Sequence, residues 1–401
     1  MFLLIWFIIF TMSMNVYFDN AASTMVRDEA INAMLLVMRE RFGNPSSMHD
    51  FGRRAASELT SARKGIADAL GARPENVYFT SGGTEANNWA ILGSADSLWR
   101  KGKHIITSAI EHSAVLDPIK KLENAGWEVT YLPPDDSGRI TREVFSAALR
   151  DDTVFASIML VNNETGAVNP LGEFSGEIKR RGLSTVLHTD AVQSLCKIPF
   201  TVKSIGAELV TVSSHKLHGP KGVGALYVKD GTKLTPLILG GSHEKGFRGG
   251  TEALPAAVGF GEAARLGSLE LEDTASAVRD LRDHVSGLLR SELSEVVFIG
   301  EGDSPFLLCF SLPGFKSEVL MNYLDGEGIC VSRSAACKKG ARSRTLEAMG
   351  LHNNVIDGAL RVSFSRYSTR EEAEYFVKML KQASKTLLKA GFARKGIGAM
   401  G

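Results

Sequence analysis

The chain has 401 residues, 44% of them hydrophobic and 23% charged, the make-up of a globular protein long enough for roughly two or three domains. Its 46 Lys and Arg against 45 Asp and Glu leave a formal net charge of +1, so charge gives no reason to expect nucleic acid bound directly, or an anionic membrane. The four cysteines, Cys196, Cys309, Cys330 and Cys337, form no C-x-x-C pair; this argues against structural zinc and fits a reducing compartment.

Met1–Phe10 is wholly apolar, yet it is too short to span a bilayer and lacks the basic start and small-residue cleavage site of a signal peptide. Recognisable structure begins at Asn15, so residues 1–14 are expected to be a dispensable leader, with initiation at Met12 or Met14. A short membrane-surface anchor is the rival expectation.

Val16–Ala22 reads as a short strand ending in small and polar residues, and a helical pattern follows through Arg39. Asn44-Pro45-Ser46-Ser47 opens a loop, and Arg53–Leu70 is an amphipathic helix. The strand Val77–Thr80 runs through Ser81-Gly82-Gly83-Thr84 into a helix. Strand, glycine turn and helix N-terminus together make an anion cradle, although a plain strand-to-helix turn would explain Gly-Gly-Thr taken alone. The spacing is not that of a P-loop. Strands at His104–Ser108, Trp127–Leu132, Phe155–Val161 and Thr185–Asp190 alternate with helical stretches, with polar residues just past the strand ends. That alternation means an α/β fold, a mostly parallel sheet covered by helices.

The apolar run Leu209–Val212 leads into Ser213-Ser214-His215-Lys216, turns at Gly219-Pro220, and continues as Val223–Val228. Lys216 therefore stands at the carboxyl end of a strand, where such folds place ligands. An amine there, among hydroxyls and imidazoles, suits a Schiff base to an aldehyde cofactor; a surface lysine on a polar turn is the plain alternative. From Pro255 the character changes. Ala256 to about Arg290 reads as one long helix interrupted near Gly267. Short strands follow at Val296–Ile299, Leu307–Phe310, Ile329–Val331 and Leu360–Phe364, then a helix from Thr369 to about Lys389 and a frayed tail.

An aldehyde cofactor bearing a phosphate and a pyridine ring makes four demands. Lys216 supplies the amine. Gly83 and Thr84, with Ser213 and His215, supply the anion cradle. Asp190, ending a buried strand, supplies a carboxylate that keeps a ring nitrogen protonated. His112 can stack on the ring and move protons near working pH. Asp190 would serve equally as a helix cap, and His112 as a helix-start residue. Cys337 lies in Ser332-Arg333-Ser334-Ala335-Ala336-Cys337-Lys338-Lys339-Gly340, which reads as an exposed mobile loop whose positive charge favours a thiolate. Cys330, in an apolar run, reads as core, as do Cys196 and Cys309.

In this order the motifs resemble the pyridoxal-phosphate cysteine desulfurases of the NifS/IscS type, within the class V aminotransferases. The resemblance runs from Tyr17-Phe18-Asp19-Asn20 to Arg361. It includes Asn44-Pro45-Ser46-Ser47, Thr80–Glu85, Glu111-His112, Val161–Gly166, Asp190–Ser194, Ser213–Gly222, Arg248–Glu252 and Ser334-Ala335-Ala336-Cys337. It implies the type I fold of pyridoxal 5'-phosphate enzymes. A large domain over 23–258 would hold a seven-stranded sheet. A smaller α+β domain over 15–22 and 259–392 would carry the Cys337 loop, ahead of a tail at 393–401.

The resemblance also implies roles. Lys216 would bind the cofactor aldehyde. Gly83, Thr84, Ser213 and His215 would hold its phosphate, with Thr251 reaching over from the second subunit of a homodimer. Asp190 would pair with the ring nitrogen, Gln193 with the ring oxygen, and His112 would stack on the ring. Asn163 and Arg361 would hold the substrate carboxylate, Arg361 by a bidentate fork. Cys337 would take sulfur from L-cysteine as a persulfide and pass it to an acceptor such as an iron–sulfur scaffold protein in the cytoplasm, with tRNA thiolation as a second destination. Cys337 is also the one position offered to a transient iron–sulfur cluster. A selenocysteine lyase, another class V aminotransferase and a non-catalytic persulfide carrier are the alternatives.

Four positions depart from the resemblance. Ser214 and Arg333 stand where glycine is common, and Lys338-Lys339 where small hydroxyl residues are. The added charge predicts a Cys337 thiol more acidic than usual and an acidic patch on the acceptor. Alkylation rate against pH should give a midpoint below the ordinary free-cysteine value of about 8.5, and a midpoint at that value would remove the expectation.

Overall fold

A computed structural model describes residues 14–334 and 342–388. Met1–Ser13 of the expected leader, the stretch holding Cys337, and the tail lie outside the described residues. The chain forms two compact units. The large unit comprises Ala22–Asn163 and Ala167–Ala275, and the small unit comprises the chain up to Ala21, Glu164–Gly166 and the chain from Ser276.

In chain order the first elements are β1 (Val16–Tyr17), α1 (Asp28–Glu40), α2 (Asp50–Leu70), β2 (Val77–Thr80), α3 (Gly83–Leu98), β3 (His104–Ser108) and α4 (Ser113–Asn124). Next come β4 (Glu128–Leu132), α5 (Arg142–Ala148), β5 (Thr153–Ser157), α6 (Leu171–Arg180), β6 (Val186–Asp190), α7 (Val202–Ile205), β7 (Leu209–Ser213), β8 (Gly224–Val228) and α8 (Leu254–Leu269). The chain continues with α9 (Leu271–Glu292), β9 (Val297–Ile299), β10 (Leu307–Ser311), α10 (Ser317–Gly326), β11 (Ile329–Cys330) and β12 (Ser332–Arg333). It closes with α11 (Arg344–Ala348), α12 (Asn353–Asp357), β13 (Ala359–Ser363) and α13 (Arg370–Thr386).

The large unit is built on a seven-stranded sheet of order β2-β8-β7-β6-β5-β3-β4. From β7 to β4 the strands run parallel, and β8 is antiparallel to both β7 and β2. Parallel strands need crossover helices, which cover both faces, so β5, β6 and β7 are buried along their whole length. Helix α3 lies against this sheet. Trp89 and Ile91 pack with Ile105, Val115, Phe155, Leu209 and Leu226 in one core, and Trp89 donates its indole N–H to the Thr235 carbonyl at 3.0 Å.

The apolar run expected to be strand through Val161 leaves the ladder at Ser157. The Met159 N–H is taken by the Glu111 carboxylate, and Val161 pairs back on Val168. The long helix expected from Ala256 is interrupted as expected near Gly267, into α8 and α9, with the break at Glu270. Gly267 stays helical and serves packing, since a Cβ there would sit 2.9 Å from the Cys196 Cβ. Helix α8 packs along α1 and α2, so residues 259–275 belong with the large unit.

The small unit has an antiparallel sheet of order β12-β13-β10-β9 and the parallel pair β1-β11. Phe18 packs edge-on against Phe364 and Phe376, with centroids 5.2 and 5.9 Å apart. Helix α13 starts on a capping box formed by Thr369 and Glu372. Cys330 is exposed, which corrects the core reading: β11 is a short strand whose alternation turns Ile329 inward and Cys330 outward. Cys309 is buried on β10, and Cys196 is half-buried in a turn with φ of 59°. All three are free thiols.

Helices α2 and α8 touch through glycine. A Cβ on Gly261 would land 2.4 Å from the Ala62 Cα, and one on Gly65 would land 2.5 Å from the Gly261 carbonyl oxygen. Gly261→Ala should therefore force the helices apart and cost about 1–3 kcal/mol in denaturant unfolding. An unchanged unfolding midpoint would contradict this contact.

Candidate active site

The site grows from the start of α3. A Cβ on Gly83 would lie 2.9 Å from Val192 Cγ2 and 3.5 Å from the Ser213 Cβ, so the helix begins in contact with the ends of both β6 and β7. Gly224, paired with Ser213 in the sheet, has the same role from the other side, since its Cβ would fall 2.7 Å from the Gly82 carbonyl carbon. At Gly82 itself a Cβ would meet nothing within 4 Å. Open space therefore lies where the first N–H groups of the 16-residue helix α3 converge. Glu85 is drawn away from that space, donated to by the Ser81 N–H at 2.9 Å and by the Arg248 guanidinium at 2.9 and 3.1 Å.

Asp190 ends β6 and is 6% exposed. Its Oδ1 accepts the Val192 N–H at 2.9 Å, and its Oδ2 accepts from the Asn87 amide, one turn into α3, at 2.6 Å. Beneath it, His188 joins three strands: its Nδ1 meets the Ser157 hydroxyl at 2.8 Å and its Nε2 the Thr211 hydroxyl at 3.1 Å. Burial pushes the His188 imidazole down to about 3, so this ladder is neutral at working pH.

One strand over, β7 delivers Ser213, buried at 3% exposure, and then a single turn, Ser214–Lys216. Lys216 Nζ donates to the Ala22 carbonyl at 2.8 Å. The turn is held by Thr24, whose N–H and hydroxyl both donate to the His215 carbonyl, at 2.9 and 3.0 Å. Burial, with the charges of Lys216, Lys221 and Lys197, pushes His215 down to about 4. It is thus neutral at working pH, with Nδ1 3.3 Å from the Ser23 hydroxyl.

His112 caps α4. Its Nδ1 accepts the Ala114 N–H at 3.1 Å, so the neutral ring carries its proton on Nε2. Asn88 of α3 donates to the Ala114 carbonyl at 3.5 Å, which ties the start of α4 to the start of α3. Beside it Glu111 is buried. Its Oε1 accepts from the Ser108 hydroxyl at 2.5 Å and the Met159 N–H at 2.8 Å, and its Oε2 is buried with no partner. Burial outweighs those bonds and lifts its carboxyl to about 8.

Gly83, Thr84, His112, Asp190, Gln193, Ser213, His215 and Lys216 thus all sit at or just past the carboxyl ends of the large unit's sheet strands or at the helix starts there. Thr251 is exposed in the loop before α8, and Asn163 is half-buried in the segment after β5. Arg361 lies in the small unit, on β13, 2% exposed, with Nη2 donating to the Asp19 carboxylate at 3.0 Å. Cys337 lies outside the described residues. Sequence reasoning missed Asn87, whose only signal was its place one turn past the glycine pair, and the burial of Glu111. An open helix N-terminus, a lysine amine, a held carboxylate and a neutral histidine fit a phosphate-bearing aldehyde cofactor in kind and placement.

Residues 16–376 match the aminotransferase class-V family. The chain is 41% identical over 375 residues to a cysteine desulfurase IscS of Dictyoglomus turgidum, with 92% of this chain and 95% of the relative covered. It is 42% identical to a cysteine desulfurase IscS of Methanosarcina thermophila, with 90% of this chain and 89% of the relative covered. Among solved structures, a NifS-like protein superposes with a TM-score of 0.89 at 36% identity, covering 93% of this chain and 100% of that one.

Glu111 gives a pH test of the geometry. Its carboxyl moves from 4.5 to about 8 on folding, so between those values the folded chain holds a proton that the unfolded chain releases, and stability falls as pH rises. The displaced His215, at about 4, has the opposite sign: it contributes stability at neutral pH that is lost as pH falls from 6.5. Glu111→Gln should melt progressively higher than wild type as pH is raised from 4.5 to about 8. A melting difference that does not change with pH would show that Glu111 is not held protonated.

Proposed function

The chain belongs to the aminotransferase class-V family, and from that premise we infer that it is a pyridoxal 5'-phosphate-dependent cysteine desulfurase, taking sulfur from L-cysteine and releasing L-alanine. The observation that carries this reading is the placement of Asp190 at the end of β6 and of Lys216 in the turn that follows the neighbouring strand β7, with the N-terminus of α3 seated on the same strand ends.

The residues divide the work. Gly83, Thr84, Ser213 and His215 hold the cofactor phosphate, His215 as a neutral hydrogen-bonding ring. Thr251 of a second copy completes the cradle. Asp190, fixed by Asn87 and the Val192 N–H, keeps the ring nitrogen protonated. Gln193 pairs with the ring oxygen, and His112 lies over the ring. Bound there, the cofactor supplies an electron sink that acidifies the α-carbon of an attached amino acid. Lys216 takes the α-proton, and Asn163 and Arg361 hold the substrate carboxylate. The Cys337 thiolate attacks the substrate sulfur. A sulfur–sulfur bond forms, the carbon–sulfur bond breaks, and its electron pair stays with the carbon fragment. The His112 Nε2–H stands ready to return a proton as L-alanine forms. Cys337 is left as a persulfide for an acceptor, which we take to be an iron–sulfur scaffold protein, with tRNA thiolation as a further use.

A homodimer is supported by exposed apolar side chains on and around α1 and α2: Met38 at 57%, Phe42 at 65%, Met48 at 92% and Phe51 at 48%. Among the described residues no helix is long and apolar enough to cross a membrane. The free thiols support a cytoplasmic setting.

Purified protein given L-cysteine and a reductant should yield sulfide and alanine in equal amounts. Cys337→Ala should lose sulfide release and keep the cofactor's colour. Lys216→Ala should lose turnover by about 100- to 10,000-fold. Alanine formed without sulfide, or sulfide release that survives Cys337→Ala, would defeat this reading.

A further inference from the structure

After Asp190 the chain makes a tight turn. Its Ser194 and Leu195 N–H groups donate to the Ala191 carbonyl, and its Lys197 and Ile198 N–H groups to the Ser194 carbonyl. Cys196, in this turn, adopts a left-handed backbone that a side chain disfavours. It is clamped there by α8, with Sγ 3.5 Å from the Ala264 carbonyl oxygen and its side chain against Gly267. The turn therefore places Lys197 rigidly, and Lys197 is 6% exposed. Its Nζ donates to Gln193 Oε1 at 2.8 Å, and Gln193 is itself 5% exposed.

Burying an ammonium is costly unless its donors are satisfied, so Lys197 holds the acceptors around it firmly. An ammonium has only donors, so the Gln193 atom facing it must be the carbonyl oxygen, and the amide NH2 must face the other way. The amide NH2 is then the donating end of Gln193, and it can recognise only an acceptor.

We propose that Lys197 is a positioning residue of the active site, fixing the Gln193 amide so that its NH2 faces the cofactor ring and selects a deprotonated ring oxygen. The inference rests on the reading that Gln193 lies against that ring. It gives Lys197 a second effect through space, because it also acts on the phosphate-side His215 together with Lys216 and Lys221. The other charged groups near the turn are Asp190, three residues before Gln193, and Arg27 and Glu270, whose fields reach Cys196 along with that of Lys197. Arg27 and Glu270 are paired with each other at 3.2 Å, which leaves Lys197 as the cation held on Gln193.

The test is the pH midpoint of the bound cofactor's visible absorbance in the holoenzyme, with a thermal melt confirming that each variant is folded. Losing a nearby cation and an oriented donor both make a ring oxygen harder to deprotonate, so Lys197→Met should raise the midpoint by about one unit. Lys197→Arg should stay within about 0.3 unit of wild type, and Lys197→Gln, which donates without charge, should fall between them. In a Gln193→Leu background, Lys197→Met should add less than about half of its own shift. A Lys197→Met midpoint equal to wild type, or a shift as large without Gln193 as with it, would overturn the proposal. A wild-type protein with no visible cofactor band would instead overturn the reading of the site on which the proposal rests.

Discussion

The structure depends on one close approach, the seating of α3 on the ends of β6 and β7. Gly83 lets the helix backbone come against Val192 and Ser213, Gly224 lets β8 pass behind the turn, and the Asn87–Asp190 bond closes the contact. Sterically this is possible only because these glycines carry no Cβ. Chemically it brings the helix's first N–H groups to the ends of the strands that carry Asp190 and lead into Lys216. A methyl group at Gly83 or Gly224 would force the helix start away from the strand ends that carry Asp190 and Ser213.

Around that contact the interior settles which groups carry charge. Burial keeps His188 and His215 neutral and the Glu111 carboxyl protonated. Asp190 accepts two hydrogen bonds, which fix its orientation. Lys216 donates to the Ala22 carbonyl, an acceptor that carries no formal charge. The result is a site whose dipoles are set before a ligand arrives, which is how enclosed sites stabilise developing charge.

Much of this was legible because buried parallel strands announce themselves. β5 and β7 carry apolar runs and all three central strands are buried, and function in such sheets gathers at the strand ends, so Asp190 and Lys216 stood out as candidates once the motifs around them were read together. What failed did so for local reasons. The run Phe155–Val161 looks like one strand because periodicity cannot see Glu111 reaching across to claim the Met159 N–H. Cys330 looks like core because a two-residue strand is too short to show its alternation. Asn87 and Lys197 were invisible as functional residues: each acts through one tertiary bond or one tight turn, and neither stands at a strand end.

The central claim is that the amine of Lys216, past the end of β7, is where the cofactor is held. Borohydride reduction of the holoenzyme traps the cofactor on its lysine, and peptide mass spectrometry then locates it. The account predicts the added mass on the peptide bearing Lys216 alone. The added mass on another lysine, Lys197 included, or on none, would contradict it.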